Sequence, residues 1–238
     1  YGNKPFPSAL FPLFVAKLLH ASATVMTHFF MPLFLFRWGS EYLPGLGLTL
    51  SSFQQGMITV GGYLLLQRIL IFGWSPVASG LIRRIGYRNG MIVGQACNIA
   101  FLAVLQVVEA HPLLLLVALM IEAVKVPLFW TSYHSLFAQS ALHANMGKSV
   151  GTIEFFTRLI HVALPAAAGL VIATFGFSSL FLIGLCIQLV SMMVLTLVRE
   201  PDEPRLLTSI RWSLRKRPQV TINLQLAQGG KYFVDALQ

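Results

Sequence analysis

Ionisable side chains occur within stretches of this sequence that are otherwise apolar. The first such stretch carries Lys17, His20 and His28. The later ones carry Arg68, Glu122, Lys125, Glu154, Arg158 and His161. A charged group in a water-free environment is costly, so it is usually retained to bind a solute, to relay protons or to pair with an opposite charge. These residues are therefore the first candidates for chemistry.

Helical spacing gathers the polar groups onto one side of each stretch. At about 100° per residue, the polar residues from Lys17 to His28 fall within an arc of about 100°, and so do those from Glu122 to Tyr133. Such seams are typical of helices that surround a water-filled cavity. The residues expected to line that cavity are Lys17, His20, Thr24, His28, Arg68, Glu122, Lys125 and Tyr133.

The second and fifth apolar stretches show the same kind of pattern. In the second, a seam of polar or small residues recurs every seven positions, namely Gln54, Gly61, Arg68 and Ser75. We therefore expect this stretch to face inward. In the fifth, a carboxylate precedes a guanidinium by one helical turn, the favourable order for an ion pair. The residues expected to form the ion pair and packing face of this stretch are Glu154, Arg158, Pro165 and Gly169.

Cations outnumber carboxylates among the expected cavity residues, which favours an anionic substrate such as an organic acid or a phosphate ester. Arg68 is the clearest case, because its own stretch offers no carboxylate partner. On this hypothesis Arg68→Gln abolishes uptake and leaves membrane insertion intact. Histidine titrates near neutral pH, and a buried carboxylate can carry a proton. His20 and Glu122 are thus the predicted proton-coupling residues.

Structural roles remain open for the same residues. Glu122 and Lys125, three positions apart, could simply neutralise each other. Lys17 lies two to three turns from the end of its stretch and could extend its ammonium to the membrane surface. A lone histidine is more often a hydrogen-bonded packing residue than a proton relay. Glu154 and Arg158 are more typical of a structural or gating pair than of substrate ligands.

Composition decides the environment of these stretches. The chain has 238 residues, of which 56% are hydrophobic and 11% charged, against about a quarter charged in soluble proteins. Crossing a bilayer takes about 20 apolar residues, and lipid admits only helices or closed barrels. Six stretches meet this length without strand alternation, near residues 9–36, 53–80, 90–109, 113–137, 150–175 and 177–198. We predict an all-α integral membrane domain of six transmembrane helices over residues 1–198.

The distribution of Lys and Arg predicts the orientation. With the N-terminus in the cytoplasm, Lys4, Lys148, the loop from Arg83 to Arg88 and the basic stretch after residue 198 all lie inside, as the positive-inside rule requires. The net charge of +9 then reflects topology, and no nucleic-acid partner is expected. We predict the cytoplasmic (inner) membrane of a prokaryote. Residues 199–218 are expected to be a cytoplasmic amphipathic, basic linker, and residues 219–238 a connector to a missing second half.

Motifs for soluble-type chemistry are missing from the sequence. There is no Gly-x-Ser-x-Gly, His-Glu-x-x-His or paired-Asp motif. Cys97 and Cys186 form no Cys-x-x-Cys pair and lie in apolar stretches, where inert thiols are expected. We predict no catalytic residues, no metal site and no cofactor, and we expect the chain not to be an enzyme.

The loop between the second and third stretches resembles the signature loop of the major facilitator superfamily of transporters. That signature has a Gly, an Asp, a basic residue, and then Gly and further basic residues. Arg84, Gly86 and Arg88 match in register, Gly80 is displaced by one position, and Arg83 occupies the Asp position with reversed charge. These five residues are predicted to form a gating or structural loop, in which the reversal removes the family's Asp-based charge relay.

Two further segments are similar to the same family. Leu164 to Gly169 resembles a Gly-Pro-x-x-Gly-Gly segment of antiporter members, with Pro165 and Gly169 retained, and Arg199-Glu200-Pro201 resembles the family's half-way point. The resemblance implies the N-terminal six-helix half of such a transporter, with spans one and four lining the cavity and spans three and six facing lipid. It also implies a 3+3 inverted repeat, which a short match between Val15–Ala21 and Val117–Ala123 supports by aligning His20 with Glu122.

The leading hypothesis is a secondary transporter that moves a small solute by alternating access. Its expected partners are the lipid bilayer, a small-molecule solute, and the missing C-terminal half or a second copy of the chain. A membrane-embedded enzyme and a non-transporting receptor or scaffold remain as alternatives. Enzyme activity on a soluble substrate would favour the first, and ligand binding without flux the second. The gene sequence beyond Gln238 decides whether six further spans follow.

Overall fold

The structure, a computed structural model, describes residues 11–42, 50–141 and 146–199, without the side chains of residues 140, 141, 146 and 148. In these ranges the regular elements are all helices: α1 (Phe11–Tyr42), α2 (Ser52–Ile85), α3 (Tyr87–Leu105), α4 (Leu114–Ala141) and α5 (Met146–Thr196). All five are long and apolar enough to cross a membrane. The predicted all-α class is therefore confirmed. The predicted linker beyond residue 199 and the predicted connector lie outside the described residues.

The expected count of six helices is wrong for the part of the chain that the structure describes, which has five. The expected fifth and sixth spans both lie in α5, which has 51 residues. Gly176 is the single non-helical residue within it, with φ 80° and ψ 178°. A glycine reaches this conformation without the steric cost that a Cβ would bring, so the expected turn contracts to one residue.

The first half of α5 runs in the same direction as α1. Early in both helices, the rings of Phe14 and Phe156 lie 5.9 Å apart. Later in both, Phe30 lies beside Gly169, where an added Cβ would be 3.5 Å from the Phe30 ring. Residue numbers in the two helices thus rise together along this contact.

The second half of α5 runs in the opposite direction. Gly184 packs against Thr27, whose methyl group would lie 2.9 Å from an added Cβ. Further on, the hydroxyl of Ser191 donates a 3.0 Å hydrogen bond to the carbonyl oxygen of Ala16. Residue numbers now fall along α1 as they rise along α5. The break at Gly176 therefore turns α5 into a helical hairpin that packs both of its halves on α1.

Small residues set the close contact between α3 and α4. A Cβ added to Gly94 would lie 2.8 Å from the backbone nitrogen of Phe129, and Gly90 lies directly against Ser132. Glycine at these positions lets the two backbones approach as closely as transmembrane helices do. Gly86, with φ 92°, forms the sharp junction between α2 and α3.

An apolar cluster lies at the end of the bundle where α1 and α3 finish and α4 begins. Phe34, Phe101 and Leu119 are each at most 2% exposed there. The start of the second half of α5 joins them through Phe181, whose ring lies 5.2 Å from that of Phe34 in an edge-to-face arrangement. This cluster holds one end of the helices together and leaves the middle of the bundle to polar residues.

The burial of α2 and α3 differs from the sequence-based expectation. The third span was expected to face lipid, yet 44% of the apolar stretch of α3 is buried, against 17% for α2, which was expected to face inward. α3 carries no ionisable residue in its middle but does carry Gln95 and Asn98, which are buried. A count of charges overlooks such neutral polar residues, and which helices face lipid stays a prediction.

Candidate functional site

A buried charge centre lies between the middles of α1 and α4. The carboxylate of Glu122 is fully buried, and Lys125, one turn further along α4, is 5% exposed. The ammonium Nζ of Lys125 lies 3.8 Å from Glu122 Oε1, and His28 Nδ1 on α1 lies 3.3 Å from the same oxygen. Three of the residues predicted to line a cavity therefore come together in one cluster.

Neutral polar side chains from α2 and α3 complete this charge centre. The hydroxyl of Tyr63 on α2 donates a 2.7 Å hydrogen bond to Glu122 Oε2. The ammonium of Lys125 donates a 2.7 Å hydrogen bond to Asn98 Oδ1 on α3 and lies 3.0 Å from His28 Nε2. Four helices thus contribute to a single buried network.

The geometry around His28 favours one form of its ring. Nε2 faces the ammonium of Lys125, which can only donate a hydrogen bond, so Nε2 acts as the acceptor. The proton of the neutral imidazole then resides on Nδ1, on the side of Glu122. The ring also stacks on Phe101, with centroids 6.0 Å apart. His28 thereby links the two charges of the centre without adding a third.

His20 belongs to a second polar chain rather than to the charge centre. Its Nδ1 lies 2.9 Å from Gln95 Oε1, and its ring stacks on Phe129 at 3.8 Å. The amide of Gln95 donates in turn to the side chain of Gln188 on α5. His20, expected to act with Glu122, therefore has partners of its own, and Phe129 lies about two turns along α4 from Glu122. The proton-coupling role of the two residues stays a prediction.

Lys17 occupies a third position, among aromatic rings of α4. Its side chain is 6% exposed, so it does not extend to a membrane surface as one alternative held. Its Nζ lies 3.8 Å from the centroid of the Trp130 ring and 5.3 Å from that of Tyr133. Tyr133, also predicted to line the cavity, is 4% exposed. Thr24 is partly buried, and its hydroxyl has no hydrogen-bond partner among the described residues.

The predicted polar seam of α2 is not the face of the helix that is buried. Gln54, Gly61 and Arg68 lie on the exposed side of the helix, whereas Tyr63 and Gln67 lie on the buried side. A neutral hydroxyl or amide can be buried once it finds a hydrogen-bond partner, whereas an unpaired guanidinium cannot. Arg68 therefore remains outside the buried network, although its charge acts on His28.

The residues singled out in the fifth stretch do not form the expected ion pair. Glu154 and Arg158 are both exposed, and the ion pairs found among the described residues do not join them. His161 is also exposed, and its Nδ1 lies 2.7 Å from the carbonyl oxygen of Thr157 in its own helix. Next to them, Pro165 lies within α5, and Gly169 packs on α1 as described above.

The predicted gating loop is shorter than expected. α2 includes Gly80, Arg83 and Arg84, and α3 starts at Tyr87, so Gly86 alone separates the two helices. Arg88, within the first turn of α3, donates a 2.8 Å hydrogen bond from Nη2 to the carbonyl oxygen of Thr196. This bond ties the start of α3 to the end of α5.

Sequence reasoning missed the uncharged members of the site. They are Tyr63, Gln67, Gln95, Asn98 and Gln188, all buried. A usable signal was present, because Tyr63 and Gln67 are spaced i,i+4 and Gln95 and Asn98 i,i+3, which places each pair on one helix face. The predicted cavity was centred on charged residues, and neither pair contains one.

Neither a metal-binding group among the described residues nor a known relative indicates the function of the chain. Among the described residues no group of three or more His, Cys, Asp or Glu side chains is placed to hold a metal ion. No family model matches the sequence, and no curated protein or solved structure matches it either. The geometry of the buried residues is therefore the basis for a functional assignment.

Proposed function

We propose that this chain is one half of a secondary transporter of the major facilitator type, which moves a small solute across a membrane by alternating access. In this proposal α5 crosses the bilayer twice, because its two halves run in opposite directions along α1, and the chain makes six crossings in all. The N-terminus lies in the cytoplasm of a prokaryotic cell. The second wall of the cavity comes from a further six-helix half or from a second copy.

The buried charge centre is the observation that carries the proposal. Glu122 and Lys125 are neighbours on α4. Only the packing of helices brings them to His28 on α1, Tyr63 on α2 and Asn98 on α3. Replacing a buried ion pair with apolar residues is often neutral or stabilising, so stability alone gives little reason to retain one. Ionisable residues inside membrane helices commonly mark solute or proton pathways.

The arrangement supports a mechanism in which helix movement and charge pairing are linked. Glu122 is held by groups from α1 and α2, and Lys125 by groups from α1 and α3. A proton or an anionic group that reaches this centre would compete with the existing partners. Separation of α1 from α4 would break the contacts of His28 with both charges. Solute or proton binding would thereby change the free energy of one helix arrangement relative to another.

The test is a flux measurement on the protein encoded by the complete gene, reconstituted in liposomes. Uptake of radiolabelled organic acids and neutral solutes is measured in turn, and internal pH is recorded at the same time with a trapped dye. We expect at least one solute to enter faster than in empty liposomes, and Glu122→Gln to abolish that entry. Cys186→Ala serves as the control, since Cys186 is exposed and has no bonded partner. Equal rates in the presence and absence of protein across the panel would refute the proposal.

A further inference from the structure

Lys17 is the one buried formal charge that has no ion-pair partner among the described residues. Three such charged side chains are buried there, namely Lys17, Glu122 and Lys125. Glu122 and Lys125 face each other at 3.8 Å and cancel. Lys17 belongs to none of the ion pairs found in this part of the chain. The buried interior therefore carries one uncompensated positive charge, and its position is Lys17.

The surroundings of Lys17 offset only part of the cost of burying it. The contacts of its ammonium with the rings of Trp130 and Tyr133 are cation–π interactions, worth about 0.5–2 kcal/mol. Removal of an ion from water costs several kcal/mol after relaxation. The exposed carboxylate of Glu154 acts on Lys17 from beyond ion-pair distance. An anion brought next to the ammonium would supply the missing opposite charge.

We propose that Lys17, Trp130 and Tyr133 form a binding site for a small organic monoanion with a planar apolar body. The anionic group pairs with the ammonium of Lys17, and the planar body lies against the partly exposed indole of Trp130. A single ammonium matches a single negative charge, and aromatic surroundings match an apolar body better than a hydrated inorganic ion. This inference rests on the proposed transport function and names its substrate class.

The proposed site is separate from the charge centre along the same helix pair. Lys17 precedes His28 by eleven residues in α1, or about 17 Å at 1.5 Å per residue. On α4, which packs alongside, Trp130 follows Lys125 by five residues, or about 8 Å. Substitutions at Lys17 can thus alter anion binding without removing a member of the Glu122–Lys125 pair.

The experiment compares benzoate with benzamide, which has the same ring and no charge. Binding of each is measured by equilibrium dialysis on the full-length protein in lipid nanodiscs, with empty nanodiscs as the blank. We expect the wild type to bind benzoate at least about 30-fold more tightly than benzamide, because a close charge pair in a desolvated site contributes about 2 kcal/mol or more. Equal binding of the two compounds by the wild type would overturn the inference without any variant.

Variants then assign the effect to the site. Lys17→Met should abolish the preference for benzoate, and Lys17→Arg should retain most of it. Trp130→Leu should weaken the binding of both benzoate and benzamide. Arg37→Gln is the matched control, since Arg37 is an exposed cation near the other end of α1, paired with Glu41, and it should leave binding unchanged. If Lys17→Met binds benzoate as the wild type does, or if Arg37→Gln abolishes the preference instead, the assignment to Lys17 is wrong.

Flux of labelled benzoate into liposomes separates this inference from the transport proposal. Lys17-dependent binding without flux would support the site and count against the transporter. Flux that persists unchanged in Lys17→Met would support the transporter and overturn the site. Loss of both binding and flux in Lys17→Met, with both retained in Lys17→Arg, is the result expected if the two proposals hold together.

Discussion

The buried pair of Glu122 and Lys125 allows a quantitative test of how the bundle tolerates charge. The perturbations are Glu122→Gln, Lys125→Met and the double variant. At the observed separation of 3.8 Å and an effective dielectric constant near 20, the attraction between the two charges is about 4 kcal/mol. Removal of one member leaves the other buried without compensation, at a typical cost of about 3–5 kcal/mol.

The two single variants are expected to differ. After Glu122→Gln, Lys125 has no carboxylate within reach among the described residues. Its remaining partners are Asn98, His28 and the ring of Phe101. After Lys125→Met, Glu122 keeps the hydrogen bond from Tyr63, and His28 at 3.3 Å can take up a proton and replace the lost charge. Glu122→Gln should therefore lower the free energy of unfolding more than Lys125→Met does.

The assay is reversible unfolding in mixed detergent and SDS micelles, followed by far-ultraviolet circular dichroism. The double variant restores neutrality, so it should be more stable than the sum of the single effects predicts. We expect a coupling free energy of about 3 kcal/mol, the upper range for residues in contact. If the two single effects add to within about 0.5 kcal/mol, the charges do not interact as the structure indicates, and the reasoning for a shared charge centre fails.

Three further predictions concern packing and hydrogen bonding, and each is checked by the same unfolding measurement. Gly94→Ala should lower the free energy of unfolding by about 1–3 kcal/mol, because the new Cβ would lie 2.8 Å from the backbone nitrogen of Phe129. Gly62→Ala is the control: its Cβ would meet nothing within 4 Å, so stability should not fall. Gly176→Ala should cost about 1–2 kcal/mol since φ is 80° there; an unchanged midpoint would contradict the turn. Gln95→Leu should cost about 1–3 kcal/mol by leaving buried polar groups unpaired, and full stability would contradict the chain of bonds through it.

The buried face of α2 could not be predicted from the sequence. Arg68 drew attention as a charge in an apolar stretch, but the buried face of α2 is the neighbouring one, which carries Tyr63 and Gln67. Around the helix, Gln67 lies about 100° and Tyr63 about 140° from Arg68. Periodicity identifies a polar seam, but it cannot identify which of two adjacent seams faces a carboxylate on another helix.

The pairing of histidines with charges was decided in the same way. The sequence placed His20 and His28 on one seam, and a short repeat aligned His20 with Glu122. In the structure His28 lies beside Glu122, and His20 is hydrogen-bonded to Gln95. The rise of a helix separates the two histidines by about 12 Å, so the offset of α1 against α4 determines which one meets the carboxylate. That offset depends on side-chain packing between helices, including the glycines of α3.

The sequence by itself determined that this protein consists of long apolar helices with buried charges. Composition and span length can be read from each segment separately, without knowing which other helices it packs against. It also separated the stretches 150–175 and 177–198 at residue 176, where the structure has a one-residue break within a single helix. Only the tertiary structure decided that Glu122, Lys125 and His28 form one centre and that Lys17 stands apart from it. Pairing of buried charges depends on distances of a few ångströms between different helices, because unit charges are strongly stabilised only at close approach.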